Sequence, residues 1–516
     1  MKTNTAIYWL KRDFRLADNP ALTAALAESN QVIPVFILEP SFVDAPETSA
    51  FHVHAVTDAL RNLRGKFQKR GSDIAVVTGE VIPILNQLYE LYNFQKIYAH
   101  EEIGIERTFA RDRAVHDWCK NQNIEFKEYQ QTGVFRRLDS RNKRHSAWLE
   151  FNKSPLLPVP DNLDKCSIPK EWEDLILNKK QVLTNEMLDC ELTEIQKKNV
   201  QPVSETDAEK TLQSFLNGRA MGYSKAISSP LTAFEKGSRL SVHFAWGTIT
   251  GRKVYQKTWE RIAELKALRA EGDLDAGRLA SSLRAFSSRL HWRDHFIQRL
   301  ESEPRMEFEA LNPAYRKLEY DENLEFLAAW IAGRTGYPMV DACIRCLQNT
   351  GFVNFRMRAM LTSFACHTLK INWKLIDHPM AKLYTDYEPG IHLSQLQMQA
   401  GVVGINTVRV YSPTKQIADQ DPETVFIKKW VPELREFSPK EILAHRDEPL
   451  GDYPAQLVDW KEASTEMRQR IYAIRRVENY REIANKVYEK HGSRRMKPKK
   501  KTTSKKKTST KKTAKK

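Results

Sequence analysis

The sequence predicts a Rossmann-like α/β domain followed by an all-α domain, and three observations carry that prediction. Short β-branched runs alternate with amphipathic helical stretches over the first ~130 residues, the pattern of βαβ units on a parallel sheet. From about Ala208 to about residue 490 helical periodicity dominates and no strand pattern recurs. Between the two, residues ~135–205 are rich in Pro, Lys and Asn with broken periodicity, as in a long connector that wraps a surface. The expected organisation is therefore an α/β domain at 1–134, a connector at 135–205, a helical domain at 206–490 and a Lys-rich tail at 491–516.

Within the first domain the runs 6–10, 32–38, 73–77, 96–99 and 124–129 read as strands. Asn19 followed by Pro20 is a good helix start, because Pro fills the first helical position without losing a needed N–H. Residues 51–68 and 106–122 read as long helices. No G-x-G-x-x-G follows the first strand, so the usual dinucleotide fingerprint is missing, and no Gly-rich phosphate loop follows any strand, which argues against a nucleotide-consuming enzyme. The first strand runs instead into Arg12, Asp13 and Arg15, which are expected to form a salt-bridge cluster tying its carboxyl end to a later segment.

Composition sets further bounds. A chain of 516 residues, 41% hydrophobic, has material for buried cores in two or three domains. No run approaches the roughly 20 apolar residues that span a bilayer, and the opening stretch is charged, so no membrane partner is expected and the location is cytoplasmic, or nuclear in a eukaryote. Six scattered cysteines make no disulfide framework. Cys343 and Cys346 fall on an apolar helical pattern without a second pair, so no metal site is expected. The net charge of +16 is concentrated in residues 497–516, which hold eleven lysines and no acid, leaving about +5 elsewhere. Such a tail cannot bury enough apolar surface to fold and reads as a disordered cationic arm, a sequence-independent DNA tether, with a solubility tail or an address signal as the other readings.

The most informative constellation lies in the helical half. Gly237, Ser238, Arg239, Leu240 and Ser241 follow Tyr223 by fourteen positions and sit where a loop feeds a helix, offering N–H groups, hydroxyls and a guanidinium to a diphosphate. A second run, Gly333 to Asp341, opens a helix read as carrying Arg345, Thr350-Gly351-Phe352, Arg356 and Arg358 ahead of Trp373. Trp292-Arg293-Asp294 stands between the motifs and Phe426 to Leu434 follows them. In that order, over roughly residues 5–435, the chain resembles the photolyase and cryptochrome flavoproteins.

The resemblance implies FAD as cofactor, with Tyr223 and residues 237–241 at its diphosphate, Arg293 beside it, and Arg358 near the isoalloxazine paired with Asp386. It implies UV-damaged DNA as the partner of a DNA-associated monomer, with Trp292 stacking on the flipped-out pyrimidine pair. Arg289 and Arg356 would then hold DNA phosphates, and Arg289, Trp292, Arg293 and Phe296 share one helical face. Glu102 and Glu106 fall near the segment resembling the family's antenna pocket, where a folate-type or flavin-type chromophore is expected.

Several positions depart from the family pattern. Phe352-Val-Asn354-Phe355-Arg356 stands where Trp-Met-His-Asn-Arg is usual, so the active-site Asn is displaced to Asn354 or absent. Arg289 replaces a glutamate, and no tryptophan falls between Pro389 and Gly401, where Ser394 takes one customary relay place and Tyr320 another, leaving Trp373. A rerouted electron path through Trp373 is expected, with Tyr320, Trp330, Tyr384 and Tyr387 as further material. Gln395, Gln397 and Gln399 read as a hydrogen-bonded pocket rim. The activity implied is light-dependent splitting of cyclobutane pyrimidine dimers, because no histidine falls within 351–358 to serve (6-4) repair. The alternatives are a blue-light photoreceptor with little repair, a (6-4) photolyase and a non-enzymatic DNA-binding protein.

Overall fold

A computed structural model of the chain describes residues 4–168 and 192–492. Five parallel strands, β1 (Thr5–Leu10), β2 (Gln31–Leu38), β3 (Ala75–Thr78), β4 (Lys96–His100) and β5 (Glu125–Tyr129), form one sheet in the order β3-β2-β1-β4-β5. In register, Ile7 lies opposite Ile33 and Ile97. Period-2 alternation sends Ala6, Tyr8 and Leu10 into one buried layer and Ile7 and Trp9 into the other, so both faces of the sheet are covered, as a parallel sheet requires. Asn19 caps the helix Pro20–Glu28 by accepting from Leu22 N at 2.9 Å.

Three expectations need correction. β3 starts at Ala75 and not at residue 73, because the Asp73 carboxylate accepts from Arg64 at 2.9 and 2.7 Å and from its neighbour's Ile74 N at 2.7 Å, a turn-like cap outside the ladder. The connector is not merely a surface wrap: its helix Arg144–Lys153 buries Trp148 in the core of the helical domain against Leu212, Tyr255 and Leu279. The helix read as continuous past Thr350 is two, Pro338–Thr350 and Phe355–His367, divided at Gly351. There φ is +65° and a Cβ would sit 1.8 Å from Thr385 Oγ1, so only glycine permits the break.

The helical domain is built around the long helix Leu274–Ser302, which packs on Gly251–Ala270 and on Pro389–Gln399. Gly390 and Ser394, one turn apart, explain the close second contact: a Cβ at Gly390 would meet Ile297 Cα at 2.6 Å, and Ser394 Oγ donates to Phe296 O at 3.2 Å. A tryptophan at 394 would not fit between these backbones. Among the described residues no helix is long and apolar enough to cross a membrane. The Lys-rich segment 497–516 lies outside the described residues, beyond the helix Tyr480–His491.

The carboxyl end of β1 locks the two domains together. Asp13 accepts from Tyr8 OH (2.6 Å) and Lys11 N (2.8 Å) and bonds His100 Nδ1 (2.8 Å). Burial alone would raise its pKa, but His100 and Arg15 outweigh that and bring it down to about 2. Arg15 reaches across to Gly247 O at 2.9 Å, and Arg12 stacks over the Trp246 ring at 4.7 Å. The expected structural role of Arg12, Asp13 and Arg15 is what the contacts describe.

Candidate functional site

Trp246 carries the interdomain contact onward, donating its indole N–H to Thr385 O at 2.8 Å. His52, from the helix Ala50–Gln68 of the α/β domain, bonds Tyr384 O at 2.9 Å. These two contacts fix the segment 384–386, and with it Asp386. Arg358 meets Asp386 in a bidentate pair, Nη1 to Oδ1 at 2.9 Å and Nη2 to Oδ2 at 3.1 Å, and also donates to Val353 O at 2.8 Å. Burial would raise the Asp386 pKa, but Arg358, with help from a Ser241 hydrogen bond and Arg239, holds it below the ordinary carboxylate range. The pair thus joins the Phe355–His367 helix, the 384–386 segment and the start of the helix Ser241–Ala245 in one buried polar node.

The 237–241 loop approaches the same node. Arg239 has φ +59° and buries its guanidinium between Phe352, at 3.7 Å from the ring centre, and Phe234, at 5.1 Å. Burial lowers its pKa to about 10. The loop is locked by Gln201, which donates to Arg239 O at 2.8 Å, and by Arg219, which donates to Gly237 O at 2.6 Å. Leu240 is fully buried, and Ser238 Oγ accepts weakly from Leu240 N at 3.4 Å. Tyr223 packs edge-on against Phe215 and Phe286, and burial pushes its phenol up to about 12.

On the Leu274–Ser302 helix Trp292 is partly buried and stacks on Phe296 at 5.9 Å. Arg293 donates to Asp294 at 2.7 Å, approaches Glu388 at 4.0 Å and lies 5.1 Å from the Phe244 ring. Arg289 is exposed. Asn354 caps the Phe355–His367 helix by position and donates to Ile227 O and Ser228 O at 3.0 and 2.9 Å, so its amide nitrogen clamps a loop while its Oδ1 stays buried without a partner. Arg356 touches the same loop, with Nη2 3.5 Å from Ser228 Oγ.

The two acids of the expected antenna pocket part ways. Glu102 bonds Arg111 at 2.7 Å and lines a small cavity at the domain seam together with Arg12, His52, Glu47, Arg107 and Tyr387. Glu106 sits in the first turn of the helix Glu106–Asn121, half exposed and paired with Arg113, and does not line that cavity. The glutamines do not form one rim, because a helix turns residues two apart to different faces. Gln397 is buried and spends its amide on Leu311 N, Met306 O and Glu309 O, whereas both amide ends of Gln395 lack a partner.

Sequence reasoning missed His392, which bonds Asp377 at 2.8 Å and contacts the rings of Tyr384 (6.0 Å) and Tyr387 (5.4 Å). Tyr387 continues to His52 (5.6 Å), and His52 to Trp246 (5.9 Å). Trp373 lies in the same apolar core as Trp330, Tyr384 and Tyr387, with Tyr320 packed against it, but it is not a member of this chain of touching rings.

Several buried polar atoms around the node have no partner: Arg239 Nη1, Arg356 Nε, Asn354 Oδ1, Tyr384 OH, Glu388 Oε1 and the Gln395 amide. Buried donors and acceptors left open cost free energy unless a ligand answers them. Mixed donors and acceptors, a cationic Arg358 and flanking aromatic rings fit a large, polar, aromatic group such as FAD. Fold and site together define a two-domain protein in which an α/β sheet docks on a helical domain with a buried polar and aromatic node.

The comparisons agree. Residues 6–151 match the DNA photolyase model and residues 286–473 match the FAD binding domain of DNA photolyase. The deoxyribodipyrimidine photo-lyase of a Synechococcus species is 24% identical, covering 88% of this chain and 93% of its own. A Sulfolobus tokodaii photolyase solved with two FAD molecules is 25% identical at TM-score 0.72, covering 91% of this chain and 100% of that one. A class III photolyase of Agrobacterium tumefaciens shares the fold at TM-score 0.78, with 23% identity and coverage of 92% and 99%. The chain belongs to the photolyase and cryptochrome flavoprotein family, and its cofactor is FAD.

Proposed function

We propose that this protein is a light-dependent DNA repair enzyme that splits UV-induced cyclobutane pyrimidine dimers. The observation that carries the reading is Trp292, a partly buried aromatic face stacked on Phe296 on the helix whose Arg293 approaches Glu388, two residues from Asp386. Reduced FAD, when bound, supplies the photoexcited electron donor for this chemistry. The remaining work falls to the chain. Tyr223 and the loop 237–241 hold the diphosphate end, and the rigid backbone around Arg239 presents the Ser238 hydroxyl, while Ser241 donates to Asp386. Arg358, kept charged by Asp386, offers a fixed cation toward the ring system.

Trp292 replaces the base stacking that a flipped-out lesion loses, a contact of about 1–3 kcal/mol per base. Arg289 and Arg356 take backbone phosphates, and the Lys-rich segment 497–516 adds non-specific attraction. Glu102, on the seam cavity, is the acid best placed for an antenna chromophore. A second reading, a photoreceptor with little repair, is favoured by one observation: Ser394 and Gly390 close the space where a relay tryptophan would stand.

The test is to incubate the reduced protein with oligonucleotides carrying a cyclobutane thymine dimer or a (6-4) product, in light and in the dark. Light-dependent restoration of the cyclobutane lesion supports the proposal. Restoration of the (6-4) product alone reassigns the substrate, and repair of neither leaves the photoreceptor.

A further inference from the structure

Away from the flavin node, the described residues hold a buried concentration of positive charge that the proposed function does not use. His291, His295 and Arg299 follow one another at four-residue spacing on the Leu274–Ser302 helix, so they form a single row with neighbouring Cβ atoms about 5–6 Å apart. The connector covers this row. Arg144 Nη1 lies 3.0 Å from His291 Nε2, Arg141 Nη2 lies 3.3 Å from His295 Nδ1, and His145 Nδ1 lies 3.3 Å from His291 Nε2. His491, last residue of the Tyr480–His491 helix, lies in the field of Arg299 and Arg141.

The charges are deep. Arg144, Arg299 and His295 are each 4% exposed and His491 is 2% exposed. Arg144 Nε, Arg299 Nε and Nη1 and His491 Nδ1 have no hydrogen-bond partner. Burial lowers both Arg144 and Arg299 to about 10, and His295 is held far below its ordinary value by burial and by Arg141, Arg299 and Arg144.

The neighbouring acids are already engaged. Asp294 accepts from the Trp148 indole at 2.8 Å and from Arg293 at 2.7 Å. Glu303 serves Lys490 at 2.6 Å and Arg305 at 2.9 Å, with His491 only at 3.7 Å, and Glu301 accepts from Arg137 N and Gln298. Buried guanidinium nitrogens without an acceptor, here Arg144 Nε and Arg299 Nε and Nη1, are costly, and a bound anion is the ordinary remedy.

We infer that the row His291–His295–Arg299, roofed by Arg141 and Arg144, is a binding site for a small phosphate dianion, free or as a phosphomonoester. The guanidinium forks match phosphate oxygens, while His291 Nε2 and His295 Nδ1 accept from Arg144 and Arg141 and hold those forks in place. The depth bears on the size of the ligand: Arg299 is 4% exposed, out of reach of a duplex backbone, while Lys143 and His145 beside Arg144 are exposed.

The experiment compares thermal unfolding of the full-length, FAD-loaded protein in inorganic phosphate and in chloride at equal ionic strength, alongside Arg299→Met and Arg144→Met. Saturable stabilisation by phosphate, a rise of about 1–3 °C, is expected for the parent protein. Both variants should keep the flavin spectrum and the Lys-rich tail yet lose the phosphate response, and Arg299→Met, having shed a buried charge without a carboxylate partner, should be no less stable in chloride. Equal midpoints in phosphate and chloride overturn the inference. So does a phosphate response that survives Arg299→Met, which would place the anion on the tail, or a response to a short undamaged duplex alone, which would make the cluster part of a DNA track.

Discussion

Replacing Asp386 by Asn removes the negative member of a pair whose partner cannot move to water. Only 7% of the Asp386 side chain and 23% of the Arg358 side chain are exposed. Removing one member of a buried ion pair generally costs about 3–5 kcal/mol, because a charge is left uncompensated. Two features of this site reduce that figure: the Asn carbonyl still accepts one hydrogen bond, and Arg358 keeps Val353 O at 2.8 Å. Ser241, in turn, donates to a weaker acceptor, a loss of about 1 kcal/mol. The expected net loss is about 2–4 kcal/mol. Urea unfolding of Asp386→Asn and of the double variant Arg358→Met/Asp386→Leu measures it, together with the flavin-to-protein ratio of each. The single variant should lose stability and release flavin, whereas the double variant should regain much of the stability while still binding flavin poorly. A loss below about 0.5 kcal/mol with full flavin content would refute the claim that this pair organises the site.

Further outcomes follow from the same geometry. Trp292→Ala should weaken binding of dimer-containing DNA by roughly 10–100-fold with an unchanged flavin spectrum, and equal affinity in a binding titration would displace the lesion pocket from this helix. Trp373→Phe tests the electron route by transient absorption: slower formation of reduced flavin is expected, and an unchanged rate would move the route to Tyr384, Tyr387 and Trp246, which are linked through the rings of His392 and His52. Stability should fall as pH drops below about 6.5, because burial lowers His52, His243 and His367 from 6.5 to about 4. In that window the unfolded chain takes up protons that the folded chain refuses, at up to about 3 kcal/mol per histidine. A flat urea midpoint from about pH 7 to about pH 5 would contradict it.

What the sequence disclosed was local. The strands, the Asn19 cap and the 51–68 and 106–122 helices rest on period, cap chemistry and burial that a short window contains. Arg358 and Asp386 were legible only because their motifs stand in a familiar order, since nothing local says that residues 28 apart share an ion pair. The helix 144–153 hid behind a polar composition, its apolar contribution to the core being chiefly Trp148. Glu102 and Glu106 looked equivalent until the helix start at Glu106 turned one side chain outward. His392 with Asp377, and Arg299 with Arg144, are products of tertiary contact between separate segments and leave no spacing to read. The missing relay tryptophan was visible as a departure, but its reason, the close approach of Gly390 and Ser394 to the 274–302 helix, was not.

The account rests on FAD seated between the loop 237–241 and the Arg358–Asp386 pair. Its most direct test is the absorption spectrum of the purified full-length protein, before and after reconstitution with FAD, beside Asp386→Asn. The account predicts a structured flavin band in the parent protein at about one FAD per chain and a marked loss in the variant. A protein that stays colourless in the presence of FAD, or a variant that binds FAD as fully as its parent, would contradict it.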